Sequence, residues 1–468
     1  MAGPLDLWLA ECLGLPLRPG ADATIDSAPA PAIDPGRLEA WRWERLVESV
    51  VRAKRLSPFY RHHLRGVDPA ALRGPADLAR VPRLEPEALR RAPDALLCAS
   101  RDEIARVVTL QSSGTSGPSK RLFFTAGDIE RTVHFFRRGM TPMVEPGRGA
   151  LILLPGERPD SVGDQLARAL EGLGVHPLAV GALADPAEAA RLLLEHDCAT
   201  LVAAPAHAQV LAAHWRAAGL PDPRLRAVLL CWDSLPDAVA ATVRRVFGCR
   251  VLRHWGMVET GLGGAVECAE GSGLHLRGAD LFLEVTDPAT GEALPPGAWG
   301  ELVVTTLRRR AMPLIRYRTG DLGRWLPGGP CPCGSPLPRL DARLRRLEEP
   351  TLPGGMGLAD LSEVLYAVPG LADFAARLVP ADSPGRAGAP PRLRLEICAA
   401  TGHAADPGDA GAGGVLAAAR EALTRLHPLA SAVAHGRLGL DLTLRPGPGP
   451  ALPGLAKRTI LLEPQETP

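Results

Sequence analysis

The sequence predicts an α/β protein: a parallel sheet covered by helices, then a small β subdomain, then a small α+β terminal domain. Three observations carry that expectation. Between Val107 and Val251 short apolar runs alternate with longer amphipathic ones, the order that builds a parallel sheet with helices on its faces. Between Leu281 and Trp325 the texture changes to short β runs separated by turns, and beyond Asp341 two strand-like runs flank one helical run. A chain of 468 residues, 46% of them apolar, is long enough for two domains and a large core.

Taken in order, residues 34–97 read as helical with breaks, and 38–47 place apolar side chains at helical spacing. Strands are expected at 107–110, 150–154, 200–204 and 227–230, with helices at 165–173, 186–195 and 236–247. In the β subdomain the expected strands are 282–285 and 300–304. The terminal domain has strands at 393–397 and 438–444 around a helix at 414–426, and the Gly/Ala/Asp-rich run 406–413 has the composition of a disordered loop.

Composition narrows the function classes. A net charge of +1, from 53 basic and 52 acidic residues, gives no general attraction to nucleic acid or to an anionic membrane, so any anion binding must come from local loops. No apolar run approaches about 18 residues, and the start Met1-Ala2-Gly3-Pro4-Leu5-Asp6 lacks a basic leader, so a cytoplasmic enzyme is expected. Nine scattered cysteines, an odd number, argue for reduced thiols over a disulfide framework.

The chemistry concentrates in three segments. Ser112-Ser113-Gly114-Thr115-Ser116-Gly117-Pro118-Ser119-Lys120 follows an apolar strand. Its glycines let backbone N–H groups turn toward phosphate oxygens, and its hydroxyls and the Lys120 ammonium add donors and charge. The spacing is not that of a Walker A loop, and a plain Ser/Gly linker is the bland alternative. His254-Trp255-Gly256-Met257-Val258-Glu259-Thr260-Gly261 follows a strand, where α/β proteins bind ligands. There an aromatic can stack on a base and a carboxylate beside a phosphate loop can hold Mg²⁺. Met312-Pro313-Leu314-Ile315-Arg316-Tyr317-Arg318-Thr319-Gly320-Asp321-Leu322 puts Asp321 in a turn after a strand, where a carboxylate can accept two ribose hydroxyls. Each of the last two alone could be structural: a buried Trp near a surface Glu, and a salt-bridged turn.

Together and in this order, the segments resemble the core motifs of the adenylate-forming ligases, the acyl-CoA synthetase superfamily. The similarity is to the phenylacetate–CoA ligase branch, through Ser57-Pro58-Phe59-Tyr60-Arg61, the phosphate loop, Gly273-Leu274-His275-Leu276, 300–306 running into 311–322, Cys331-Pro332-Cys333-Gly334 and Pro338-Arg339-Leu340. It spans about residues 35–365 and extends loosely over the last hundred. The resemblance implies a large multi-subdomain domain over 1–341, with its β subdomain at about 276–341, and a small mobile lid over 342–468.

It also implies a reaction. A small carboxylic acid, aromatic or otherwise, attacks the α-phosphate of MgATP to give an acyl-adenylate, and the thiol of coenzyme A displaces AMP. Residues 112–117 and Lys120 would hold the phosphates, Glu259 the Mg²⁺, Asp321 the ribose, and Asp233, Trp255, Gly256 and Arg346 other parts of the nucleotide site. Cys231 and Trp232 are unusual where the family has its adenine-side turn. The hinge, Gly-Arg-x-Asp-Asp in the family, is Arg345-Arg346-Leu347-Glu348-Glu349 here, and 350–357 replace the apolar loop that normally follows. In the carboxyl-terminal motif, strict register puts Leu455 where the adenylation lysine belongs, and a slip of two residues assigns the role to Lys457. Cys331 and Cys333 with Cys268 and His275 make a Cys₃His set suited to structural Zn²⁺, with two free thiols in a loop as the alternative. His254, Phe135 and Phe136 read first as packed residues. A homodimer is the expected assembly. Two other functions stay open: an adenylating enzyme that passes its acyl group to a carrier protein or amine, and a catalytically degenerate nucleotide-binding protein.

Overall fold

The structure is a computed structural model that describes residues 4–14, 33–110, 119–268, 270–329, 331–335, 337–381, 389–400, 411–445, 454–455 and 457–463. The chain packs into two compact units. The first comprises Met1–Pro142, Arg158–Gly174 and Leu252–Leu347, and the second Met143–Glu157, Val175–Val251 and Glu348–Pro468. Among the described residues, no helix is long and apolar enough to cross a membrane.

In the first unit, the helix Pro35–Leu56 starts at Asp34, whose carboxylate accepts from Gly36 N at 2.7 Å, with proline at the first helical position. It buries Leu38, Leu46, Val50 and Ala53. Ser57 ends this helix and caps the next, Pro58–His63, by accepting from Tyr60 N at 3.2 Å. That turn delivers Tyr60 fully buried into the core, where its hydroxyl donates to Pro313 O and accepts from Ile315 N, both at 3.0 Å. One phenol thus braces the chain just before the strand Tyr317–Gly323. Tyr60→Phe leaves the Ile315 N–H buried without its acceptor, so the unfolding free energy should drop by about 1–3 kcal/mol, read as a lower urea midpoint. An unchanged midpoint would show the brace to be idle.

The β subdomain is an antiparallel sheet in the order Leu281–Thr286, Gly300–Thr306, Tyr317–Gly323, Arg345–Arg346. Two expectations are corrected here. Asp321 lies inside the strand Tyr317–Gly323 and pairs with Arg346; it is not in a turn after a strand. The strand alternates buried and half-buried residues, so Asp321 takes an inward position that the Thr-Gly-Asp composition disguised as a turn. The run at 107–110 belongs to Ile104–Leu110, which pairs antiparallel with Lys120–Thr125 and is no part of the parallel sheet. Its residues alternate between half-buried and exposed, unlike the fully buried parallel strands Gly149–Ile152, Cys198–Ala203 and Ala227–Leu230.

The second unit contains four parallel strands: Gly149–Ile152 pairs with both His176–Ala179 and Cys198–Ala203, and the latter with Ala227–Leu230. Helices Pro186–Glu195 and Asp237–Phe247 arise where expected; Pro205–Ala217, nearly all buried, was hidden by its lack of a polar face. The terminal segment forms a second sheet, ordered Gly439–Arg445, Arg392–Ala399, Leu371–Val379, Leu461–Leu462, with helices Leu358–Leu365, Ala412–Thr424 and His427–Ala434. Gly411–Gly413, expected in a disordered loop, starts the Ala412–Thr424 helix, and 406–410 lie outside the described residues. Strands, helices and terminal segment share one hydrophobic core, including Leu201, Val228, Leu365, Phe374 and Ile397.

Candidate active site

Ser112, Ser113, Gly114, Thr115, Ser116 and Gly117 lie outside the described residues, but the two ends of their loop do not. Leu110 pairs with Lys120 at the end of the antiparallel ladder, so Lys120 stands where the strand Lys120–Thr125 begins. From there Lys120 Nζ donates to Glu259 Oε1 at 3.1 Å and to the Tyr317 hydroxyl at 3.0 Å, and Tyr317 donates to the same Oε1 at 3.0 Å. Glu259 is only 5% exposed. Burial, and next the Glu259 charge, hold the Tyr317 phenol well above its ordinary range, so Tyr317 is a proton donor and not a phenolate.

Local geometry fixes Glu259. It occupies a single 3₁₀ turn, Val258–Thr260, whose Thr260 Oγ1 accepts from Met257 N at 3.0 Å. Gly256 ahead of it admits no side chain: a Cβ would stand 2.4 Å from Leu262 O and 2.7 Å from the His254 ring. The ring of Trp255 is buried against Gly264, and its indole N–H donates to Asp321 Oδ2 at 2.9 Å. Arg346 Nη1 meets Asp321 Oδ1 at 2.7 Å. One carboxylate is therefore oriented through both oxygens, by an indole and by a guanidinium from the neighbouring strand.

Asp233 and the carboxyl-terminal motif come together within the second unit. Arg458 N donates to Asp233 Oδ2 at 2.9 Å, and Trp232 Nε1 donates to Leu455 O at 2.7 Å. Trp232 holds φ at +84°, a strained setting for a tryptophan. Burial pushes the Asp233 carboxyl up, against the Arg458 and Ser234 N–H groups and the charges of Arg458 and Lys457. His207 Nε2 lies 3.0 Å from Gly454 O; burial holds the ring below its ordinary pKa, so this contact is a neutral N–H donation. The Arg458 side chain anchors the motif through Asp373, at 2.8 and 3.0 Å, and through Phe374 O. Tyr366 donates to Asp373 Oδ1 at 2.7 Å. Lys457 itself is exposed.

The ligand atoms of Cys268, His275, Cys331 and Cys333 all lie within 4.8 Å of one another. Cys268 Sγ is 3.6 Å from Cys331 Sγ, and Cys333 Sγ is 3.5 Å from His275 Nε2. A tetrahedral zinc with Zn–S of about 2.3 Å and Zn–N of about 2.0 Å puts S···S at about 3.7 Å and S···N at about 3.5 Å. The donor set and its spacing fit that ion, and the sulfur separation is too long for a disulfide.

Phe135 is core, packed edge-on against Trp8, with Phe136 tilted beside it. His254 Nε2 is buried and has no hydrogen-bond partner among the described residues. The sequence reading missed the parts played by Tyr317, although it stands inside a quoted motif, and by His207, Tyr366 and Asp373, which no local pattern marks.

The chain matches the family described as AMP-binding enzyme over residues 92–307, a span that includes Lys120 and Glu259. It is 32% identical to a phenylacetate–coenzyme A ligase of Thermus thermophilus, an alignment covering 71% of this chain and 76% of that one. It is 30% identical to the corresponding ligase of Aromatoleum evansii over 64% and 70%. Its fold is that of 2-hydroxyisobutyryl-CoA ligase crystallised in the postadenylation state with 2-HIB-AMP, with a TM-score of 0.74 at 20% identity over 94% of each chain. Fold and family model define the class: an adenylate-forming, AMP-binding enzyme. Within that class the chain belongs to the phenylacetate–coenzyme A ligase family, the AMP-forming acid–CoA ligases.

Proposed function

We propose that the protein activates an aromatic or other small organic acid with MgATP and transfers the acyl group to coenzyme A. The observation that carries the residue assignment is the Lys120–Glu259–Tyr317 constellation at the start of the strand Lys120–Thr125. In this reading Lys120 and 112–117 offset the charge of the polyphosphate, and Asp321, oriented by Trp255 and Arg346, accepts from the ribose. The Glu259 carboxylate is a hard oxygen donor of the kind Mg²⁺ takes, and the ion would add charge neutralisation on the phosphates. Asp233 and Gly256 complete the nucleotide side. Residues 342–468 act as the lid that moves between the two half-reactions, and the enzyme is a cytoplasmic homodimer.

Lys457 is the adenylation lysine of this reading. With it absent, charge building on the α-phosphate loses its cation, and acid-dependent pyrophosphate release should fall about 10²-fold in Lys457→Ala. Release would be measured across aryl and short-chain acids, with and without coenzyme A. A mutant as fast as wild type removes Lys457 from the mechanism, and wild type inert to every acid removes the proposal.

Zinc on Cys268, His275, Cys331 and Cys333 staples the insert between Asp321 and the hinge and takes no part in the chemistry. Cys333→Ser should lower bound zinc and the thermal midpoint together. Purified wild type that is metal-free yet equally stable would overturn this.

A further inference from the structure

The geometry points to a site for one small inorganic anion of chloride size, lined by Arg131, Arg277 and Arg309 beside the turn that carries Glu259. These guanidiniums line a cavity of about 20 Å³ whose wall includes Thr260 and Gly261. That is room for a single water-sized occupant. Two of the side chains converge: a Cβ placed on Gly261 would lie 3.2 Å from Arg309 Nη2 and 3.6 Å from Arg277 Nη1.

Positive charge is in excess here. Arg308 joins the group, so four guanidiniums face three carboxylates, Asp128, Asp280 and, acting on Arg309 from the neighbouring turn, Glu259. Glu259 is already engaged by Lys120 and Tyr317, and the other two are saturated. Asp280 accepts from Arg277 Nε at 2.7 Å through one oxygen and from Arg308 Nε at 2.7 Å through the other. Asp128 takes Arg131 and the backbone N–H groups of Thr125, Arg310 and Ala311. Arg277 also spends Nη1 on Gly261 O at 3.3 Å.

Arg309 is left over. Its Nη1 is buried and has no hydrogen-bond partner among the described residues, and its guanidinium lies 5.0 Å from the Phe124 ring centre. Burial pushes its pKa down to about 10, far from neutral pH, so the charge stays. An aromatic face compensates only part of that cost, and a buried donor left unmade is expensive. Water would satisfy the donor but not the charge; an anion does both.

The test uses the intact protein. Crystals soaked in sodium bromide should show an anomalous peak within hydrogen-bonding reach of Arg309 Nη1. In solution, replacing gluconate by chloride at constant ionic strength should raise the thermal midpoint saturably, by about 2 °C. Arg309→Gln should abolish that chloride-specific rise. Bromide peaks elsewhere in the crystal but none here, or water alone in the cavity, would overturn the inference even if the variant fails to fold, as would equal midpoints in chloride and gluconate. Pyrophosphate release enters neither readout, so the catalytic proposal can fail without this one.

Discussion

Glu259→Gln should cut acid-dependent pyrophosphate release about 10³-fold while leaving the fold intact. The substitution keeps shape and exchanges one carboxylate oxygen for a donor, so Lys120 loses its buried counter-charge and two donors meet where Tyr317 and Lys120 now converge on one acceptor. The Mg²⁺ concentration giving half-maximal rate should rise as well. Tyr317→Phe is the control. It removes one hydrogen bond to Glu259 and no charge, so its loss should be smaller by at least about tenfold. Equal rates for Glu259→Gln and wild type would remove Glu259 from the mechanism, and equal losses in the two mutants would mean that the bond network, not the charge, is what matters.

Asp373→Ala should destabilise the second unit by about 3–5 kcal/mol, because it strands Arg458 as a buried unpaired cation. Asp373 is fully buried and binds Arg458 through both oxygens, with Tyr366 as a third partner. The guanidinium also stacks near Tyr366 and Phe374, with ring centres 5.8 and 5.0 Å away. A shift in the urea midpoint measures the loss. The double variant Asp373→Leu/Arg458→Met separates two contributions: an apolar pair of similar volume should recover most of the stability. Adenylation should stay slow in it, because the strap that carries Lys457 has lost its anchor. If the double variant is as unstable as Asp373→Ala, the stranded-charge explanation fails.

What could be read in the sequence depended on range. Pro186–Glu195 and Ala227–Leu230 declare themselves through local pattern, and the structure gives the expected bounds. Lys120 and Glu259 stood out because their residue types are packed into short motifs, and the structure brings the two side chains into contact. Asp321 stood out as a carboxylate but was misread as lying in a turn, since Thr-Gly-Asp carries turn residues whose inward alternation only the neighbouring strands reveal. Asp373 and Tyr366 were invisible: each gains its role from Arg458, eighty-five residues beyond Asp373, and no local spacing encodes such a pairing. The Cys₃His cluster lies between these cases. Its members were identified by chemistry, while their convergence depends on Arg339–Leu340 pairing antiparallel with Leu274–Leu276.

The bonds at Leu455 and Arg458 have a kinetic reading. Leu455 O is tied to Trp232 and Arg458 N to Asp233, so the chain is held by one hydrogen bond at Leu455 and one at Arg458, either side of Lys457. The ammonium therefore stays within the reach of a four-carbon stem from those two held points. Against a free terminal tail this raises its effective molarity within that reach, with the orientational entropy lost during folding and not at each turnover. On the proposed assignment of Lys457, the fixed ends of the strap, and not the position number, set where the charge arrives.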